Sequence, residues 1–318
     1  MSAARTRVLG LLLVLAAITL PGLALTALGH SEAAGVTTLA AIAGLIPMIA
    51  AGPRIAVPIV LLLGPASALA VTVSNRPLGA AVLMGGVVVG VGLTSRVHLS
   101  NYLTIAPISV LFLIADPPSG PDGQPLPAVL IGVVAVGSAL WAAGVGWLLV
   151  RHRDRHPAAA LGWKRAGGYA AVLGVLSGSA TWILVDHQLG HDGAWFVMTL
   201  LIILQPSVRD AWDKTLQRAA GTIVGFGLAL LTYVVLGRDV GIYLAAAGFI
   251  ALAVLAWQVW HRPYWQYVAL LTPAIVLFEG ASTSVVDTAV ARLGFTLLAV
   301  AVALAVEAIA VAVGRRVA

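Results

Sequence analysis

The chain contains no cysteine, which removes disulfides, thiolate metal sites and thiol redox chemistry together without identifying a compartment. Charge is nearly as scarce. Only 9% of the 318 residues are Asp, Glu, Lys or Arg, against roughly a quarter in soluble domains. No Gly-x4-Gly-Lys-[Ser/Thr] run occurs, so the chain carries no P-loop for ATP, and no hydrolase or haem motif appears. No nucleophile stands beside a base. The expectation is a protein that is not an enzyme and holds no cofactor and no metal.

What is present is apolar. Hydrophobic residues make up 60% of the chain and the mean hydropathy is +1.02, far outside the soluble globular range. This composition belongs to an integral membrane protein with the lipid bilayer as its surroundings, long enough for many spans but too short to add a sizeable soluble domain. The net charge of +6 invites a nucleic-acid reading. Basic residues in such a chain act instead as topological anchors, so no nucleic-acid partner is expected.

A spanning helix needs about 20 mostly apolar residues at about 1.5 Å rise each. Such segments fall near 7–28, 35–51, 54–73, 77–95, 99–115 and 127–150, and then near 166–185, 193–206, 211–236, 240–260, 263–279 and 288–313. Arg5 and Arg7 before an apolar run ending in Ala27-Leu28-Gly29 also fit a cleaved signal peptide. The run from Val8 to Leu28 exceeds the usual core of roughly 7 to 15 residues, which favours a span. With the N-terminus in the cytoplasm, fifteen of the 18 Lys and Arg residues lie inside, and only Arg76, Arg238 and Arg292 lie outside. That asymmetry obeys the positive-inside rule. The acids Glu32, Asp116, Asp122, Asp186, Asp192, Asp239, Glu279 and Asp287 all land outside.

Landmarks recur at nearly constant offsets. Arg5 to Lys164 and Ile46-Pro47 to Gln205-Pro206 are both 159 residues apart, while Arg96 to Arg262 and Pro107 to Pro273 are both 166 and Arg151 to Arg316 is 165. The spacing indicates an all-α polytopic fold of about 12 transmembrane helices in two parallel six-helix repeats, 1–150 and 166–318, joined by a basic cytoplasmic linker, 151–165. The second copy gains about seven residues after its second span, most naturally between Ser207 and Lys214, where the first half has only Gly52-Pro53-Arg54.

That elbow carries the most specific chemistry. Ser207 with Asp210 three residues on reads as a capping box opening a helix of about 28 residues, about 42 Å against a hydrocarbon core of about 30 Å. Its first turns then protrude, with Asp210, Asp213, Lys214 and Gln217 along one face and Arg218 deepest of the basic residues. Asp210 and Lys214 make an acid-first i, i+4 pair. Gly221 and Gly225, with Gly227 beyond, form a small-residue face for close helix packing, and Gly86 with Gly90 and Gly174 with Gly178 repeat the spacing.

The run from Trp195 to Gln205-Pro206-Ser207, then Gln217-Arg218, Gly221-Thr222 and Gly225, resembles the signature of the fusaric acid resistance protein-like (FUSC) family of integral membrane transporters. Aromatic acid exporters are related to it, and plant aluminium-activated malate channels are similar more remotely. The resemblance implies proton-driven export of organic anions, many of them aromatic carboxylates. It is close over about 60 residues, Tyr169 to Leu231. Two features depart from the family pattern. A short linker replaces the soluble domain of larger relatives, and the first half offers Ile46-Pro47 and Gly64-Pro65 in place of the Gln-Pro-Ser and Arg-x-x-Gly-Thr text.

Other residues carry two readings each. Glu307 is the one carboxylate well inside a span, where a charge costs about 2.5 to 3.5 kcal/mol on insertion scales. It reads either as a proton-coupling group or as a protonated, buried carboxyl. His187 and His191, flanked by Asp186 and Asp192, have the spacing of a metal pair on a helix but fit a solvated loop better. His152 and His156 lie among Arg151, Arg153 and Arg155, which repel a cation. Glu279, Asp287 and Arg292 cluster at the outer end of the last two spans as a vestibule or an ordinary interface, and Trp141, Trp147, Trp195 and Trp260 fit an aromatic belt.

The resulting expectation is a secondary transporter in the cell membrane, a proton-coupled exporter of small organic acid anions, either as a single chain or as a homo-oligomer. Gln205, Lys214, Arg218 and Thr222 are its expected substrate-binding residues, Glu307 its coupling residue, and Pro206, Gly221 and Gly225 its helix-packing residues. An anion channel and a non-transporting membrane scaffold remain alternatives. Reporter fusions at the C-terminus are expected to score as cytoplasmic, and an external C-terminus would overturn the twelve-span topology.

Overall fold

A computed structural model describes residues 3–97, 99–120, 123–150, 162–237, 241–258, 260, 262–280 and 284–317. Residues 151–161, with His152 and His156, lie outside these, as do Asp122, Arg238 and Asp239. The described residues are helical almost throughout: α1 Ala3–Ala27, α2 Ser31–Ala51, α3 Pro53–Val73, α4 Pro77–Leu93, α5 Ser100–Leu103, α6 Ile105–Ala115, α7 Ala128–Val150, α8 Trp163–Asp186, α9 Gly190–Ile203, α10 Val208–Leu236, α11 Gly241–Gln258, α12 Tyr264–Gly280 and α13 Val285–Val317. Each expected span except the fifth coincides with one helix. Among the described residues seven helices are long and apolar enough to cross a membrane by length and composition, and four further apolar ones are shorter. Helices suit these continuous apolar runs because lipid offers the backbone no hydrogen bonds, and a helix satisfies its own.

The expected fifth span is broken at Thr104 into α5 and α6. Pro107 is the cause: it supplies no N–H, and its ring crowds the carbonyl four residues back, at Leu103. Elsewhere proline starts helices. Pro53 and Pro77 occupy the first turns of α3 and α4, and Gly52, at φ 84°, makes the one-residue reversal from α2 to α3. Such a conformation suits glycine.

The chain divides into two compact units, residues 1–194 and 195–318. In the first, α7 packs on α1, α2 and α3, while α8 packs on α4. These contacts close on small residues. A Cβ placed on Gly44 would overlap the Ala139 carbonyl, and Gly64 and Gly132 face each other's carbonyl oxygens. Gly174 and Gly178 meet Gly85 and Ala81 of α4, and Gly92 meets Ala170. Gly86 and Gly90, expected to pack a helix, do not: nothing lies within 4 Å of their Cβ positions, because the neighbouring register of α4, at Gly85 and Gly92, is the one turned to α8.

In the second unit α10 packs on α11, α12 and α13, and α11 packs on α12. A Cβ on Gly221 would lie 2.5 Å from the Trp265 carbonyl, and one on Gly225 would lie 2.6 Å from Thr272 Cβ and 3.0 Å from the Ala269 carbonyl. Gly227 has open space instead. An apolar cluster of Ala229, Ile242, Ala246, Val276, Leu277, Val285 and Ala289 fills the far end of this unit. Replacing Gly221 or Gly225 by Leu forces α10 away from α12, an overpacking expected to cost roughly 1–3 kcal/mol. Thermal unfolding in detergent is expected to shift down by several degrees for either variant and to stay put for Gly227→Leu; equal melting of all three would mean that the two helices do not meet at these glycines.

Candidate functional site

The elbow begins where α9 stops. Its last carbonyls have no partners within the helix, and Gln205 Nε2 turns back to donate to Ile202 O at 2.9 Å and Leu204 O at 3.2 Å. Gln205 therefore finishes its own helix, and Pro206 follows in the four-residue connector to α10. Pro47, 159 residues earlier in the chain, lies inside α2 instead. Ser207 occupies the N-cap position of α10 with extended backbone but makes no side-chain capping bond, so the expected capping box does not form. Asp210, exposed in the first turn, still favours the positive helix end. Asp210 and Lys214 make no direct ion pair.

Further along α10 one face is buried and polar. Thr215, Arg218 and Thr222 recur at helical spacing, and Arg218 is only 5% exposed. Trp212, Leu216 and Ile223 point outward. Lys214 and Gln217 are half-buried at the edge of this face.

The Gln217-Arg218 pair reaches across to the start of α12. Gln217 Oε1 accepts the Trp265 backbone N–H at 3.2 Å, one of the first-turn donors that a helix leaves unsatisfied. Arg218 Nη1 donates to Tyr264 Oη at 3.4 Å, and the Tyr264 ring stacks on Tyr267 with centroids 6.2 Å apart. With Gly221 against Trp265 and Val268, and Gly225 against Ala269 and Thr272, contacts advance together along both helices. They therefore run parallel.

On the other side of the same α10 face stands α13. Glu307 is 3% exposed, and its Oε1 accepts the Thr215 hydroxyl at 3.4 Å. Its Oε2 is buried without a hydrogen-bond partner, and so is Arg218 Nε. The two residues that anchor these charges to α10, Thr215 and Arg218, are separated by three positions, about 4.5 Å of rise. Along one face of α10 there is thus a guanidinium with a spare donor, and against the same face a carboxyl of α13 with a spare acceptor.

Arg218, Thr222, Gly221, Gly225 and Glu307 converge on the α10, α12 and α13 contacts, whereas Gln205 bonds within its own helix end. Thr215, Tyr264 and Gln217 as an inter-helix cap were not legible as site residues; the only signal is the apolar-face periodicity that puts Thr215 in line with Arg218 and Thr222. At the far end of α13, Arg292 lies over the Trp195 ring, 3.7 Å from its centroid, with both side chains buried. Trp195 is therefore a stacking partner and not part of an aromatic belt. Asp287 is exposed and takes no part in that contact, its backbone N–H being capped by Ser284 Oγ at 3.3 Å. The side chain of Glu279 lies outside the described residues. His187 ends α8 and His191 sits in the first turn of α9, separated by the positive φ angles of Gln188 and Gly190, so they do not share a helix face.

Residues 180–306 match the family described as fusaric acid resistance protein-like. No curated protein and no solved structure matches the chain. The matched stretch spans the elbow, all of α10 to α12 and most of α13, and ends one residue before Glu307. Over residues 180–306, then, the chain is similar to the fusaric acid resistance protein-like family.

Proposed function

We propose that the chain is a secondary transporter of the cell membrane, a proton-coupled exporter of small organic acid anions, aromatic carboxylates among them. The family match over residues 180–306 supports membrane transport and resistance as its broad role. The observation that carries the finer reading is the buried Arg218, whose Nε donor has no hydrogen-bond partner while Nη1 is tied to Tyr264. A carboxylate arriving beside Tyr264 and Tyr267 would take that donor in a charge-assisted bond and lay its ring or chain along the tyrosines. Lys214, half-buried one turn closer to the helix start, draws the anion in, and the Thr222 hydroxyl lies one turn deeper. Gln205 keeps the end of α9 closed beside the entrance.

Glu307 supplies the proton step. As a carboxylate it repels a substrate anion on the neighbouring face of α10, and as a neutral carboxyl it does not. Binding of the anion and of the proton thus favour each other, which makes carboxylate binding depend on pH through Glu307. The two-repeat architecture and alternating access belong to the same proposal. It is supported by a shared pairing pattern: α3 packs on α4, α6 and α7 as α10 packs on α11, α12 and α13. Both termini are placed in the cytoplasm.

The Arg218–Tyr264 bond favours a second reading, in which Arg218 only ties α10 to α12 as part of a scaffold. Proteoliposome flux separates the two. Arg218→Ala is expected to lower transport of benzoate and related carboxylates roughly tenfold or more, the scale of one lost charged hydrogen bond. Tyr264→Phe removes the tie but leaves the cation, and is expected to retain most of the flux. A tenfold loss in Tyr264→Phe with no further loss in Arg218→Ala would instead identify the scaffold reading.

Glu307→Gln is expected to abolish accumulation driven by a pH gradient while leaving carboxylate exchange at equal pH. Undiminished gradient-driven transport in that variant would remove the coupling role, and flux indifferent to the gradient in the unaltered protein would make the chain an anion channel.

A further inference from the structure

The first unit holds an apolar cleft, separate from the residues discussed so far. It runs between α3 and α4, closed behind by α6, with a volume of about 570 Å³, and its walls include Leu62, Leu69, Val82, Gly86, Gly90 and Leu103. No side chain of the protein fills it at the glycines, since nothing approaches their Cβ positions within 4 Å. Adjacent positions on the same helix, Gly85 and Gly92, are by contrast packed against α8. The rim faces the surroundings: Leu62 is 68% exposed and Val82 67%. On a spanning helix those surroundings are hydrocarbon.

Its length and its mouth identify the occupant. From Val82 to Thr94 the α4 wall is twelve residues long, about 18 Å, close to the roughly 15 Å hydrocarbon depth of one leaflet. Thr94 and Ile59 line the same end, and each has an exposed arginine nearby, Arg96 two residues beyond Thr94 and Arg54 five residues before Ile59. Arg96 lies over the exposed Trp163 ring, 4.1 Å from its centroid, and Lys164 and Arg165 follow, both exposed. Indole and cation together are the pattern of a headgroup level. No acidic residue occurs anywhere between Glu32 and Asp116, so nothing on α3 to α6 offsets this positive end.

We infer that the α3–α4 cleft binds one acyl chain of an anionic glycerophospholipid from the cytoplasmic leaflet, with the headgroup phosphate held between Arg54 and Arg96. The cytoplasmic leaflet is the one with negative surface potential, and the positive-inside assignment puts both arginines there. The bound lipid fills the space that glycine leaves open and so forms part of the wall of the first unit. The inference is independent of the transport reading, because the cleft includes none of Gln205, Lys214, Arg218, Thr222 or Glu307.

Native mass spectrometry of the full chain, delipidated in mild detergent and titrated with dioleoyl phosphatidylglycerol or dioleoyl phosphatidylcholine, tests it. The unaltered protein is expected to bind the anionic lipid with roughly fivefold or greater preference, the scale of one cation at an anionic surface. Arg54→Gln with Arg96→Gln is expected to bring that preference close to unity while chain binding persists. Gly86→Leu with Gly90→Leu, substitutions that meet open space, is expected to lower binding of both lipids at least fivefold with an unchanged melting temperature. Equal binding of the two lipids by the unaltered protein, or an undiminished preference in the arginine variant, would overturn the headgroup assignment. Undiminished binding in the glycine variant would overturn the chain assignment, and so would a lipid-free dimer that this variant alone dissolves, since a second copy would then occupy the cleft.

Discussion

Backbone-to-backbone approach of α10 and α12 is the constraint on which the second unit depends. Gly221 and Gly225 remove the two side chains that would hold the helices apart, and the second lies against a special feature of its partner. Pro273 supplies no N–H to Ala269 O, four residues earlier, and that carbonyl is the one facing Gly225. A proline therefore releases an acceptor in α12 where a glycine of α10 has made room beside it, and a Cα–H contact is the available replacement. Once the helices lie this close, the chain direction does the rest. Gln217 and Arg218, one turn before Gly221, necessarily arrive at the first turn of α12, where unsatisfied N–H groups and Tyr264 await them.

This explains how a spanning helix tolerates Arg218 and Glu307 at all. A single charge in hydrocarbon costs several kcal/mol, and each is instead anchored by a hydroxyl, Tyr264 for the cation and Thr215 for the carboxyl. Neither is fully satisfied, because each keeps one buried atom with no hydrogen-bond partner. A purely structural pair would gain by closing into a direct ion pair with two bonds. Tying them to separate hydroxyls, on α12 and on α10, sacrifices that stability and leaves one donor and one acceptor without a hydrogen-bond partner.

The sequence was most informative where lipid leaves few choices. Continuous apolar runs place every helix within a few residues, since no alternative satisfies the backbone, and the spacing of Gly221 and Gly225 carries over directly to a packed contact. It was least informative where a side chain has several competing partners. Ser207 is correctly spaced for a capping box yet caps nothing, and Gln217, spaced like a solvated residue, caps a helix 48 positions away. Trp195 has the flank position of a belt residue, but Arg292 comes from another helix to cover it. Glycine spacing likewise misleads on α4: Gly86 and Gly90 fit the packing pattern, while Gly85 and Gly92 do the packing. The pattern gives the period of a face and not the direction in which it points.

The helices α3 and α10 differ in the chemistry they bury. On α3 the buried face is Ala56, Val60, Leu63, Gly64, Ser67 and Ala70, closed against α7 by the reciprocal approach of Gly64 and Gly132. On α10 the buried residues at comparable depth are Thr215, Arg218 and Thr222. Both helices solve the same packing problem with glycine. Only α10 carries ionisable chemistry inward, and the extra residues of its elbow extend it toward the aqueous phase, so that a charged first turn and a charged buried turn belong to one continuous helix. On α3, by contrast, Arg54 in the first turn is followed on the buried face by only apolar or small residues. α10 therefore differs from a helix that merely packs in burying a charged side chain one turn beyond its charged start.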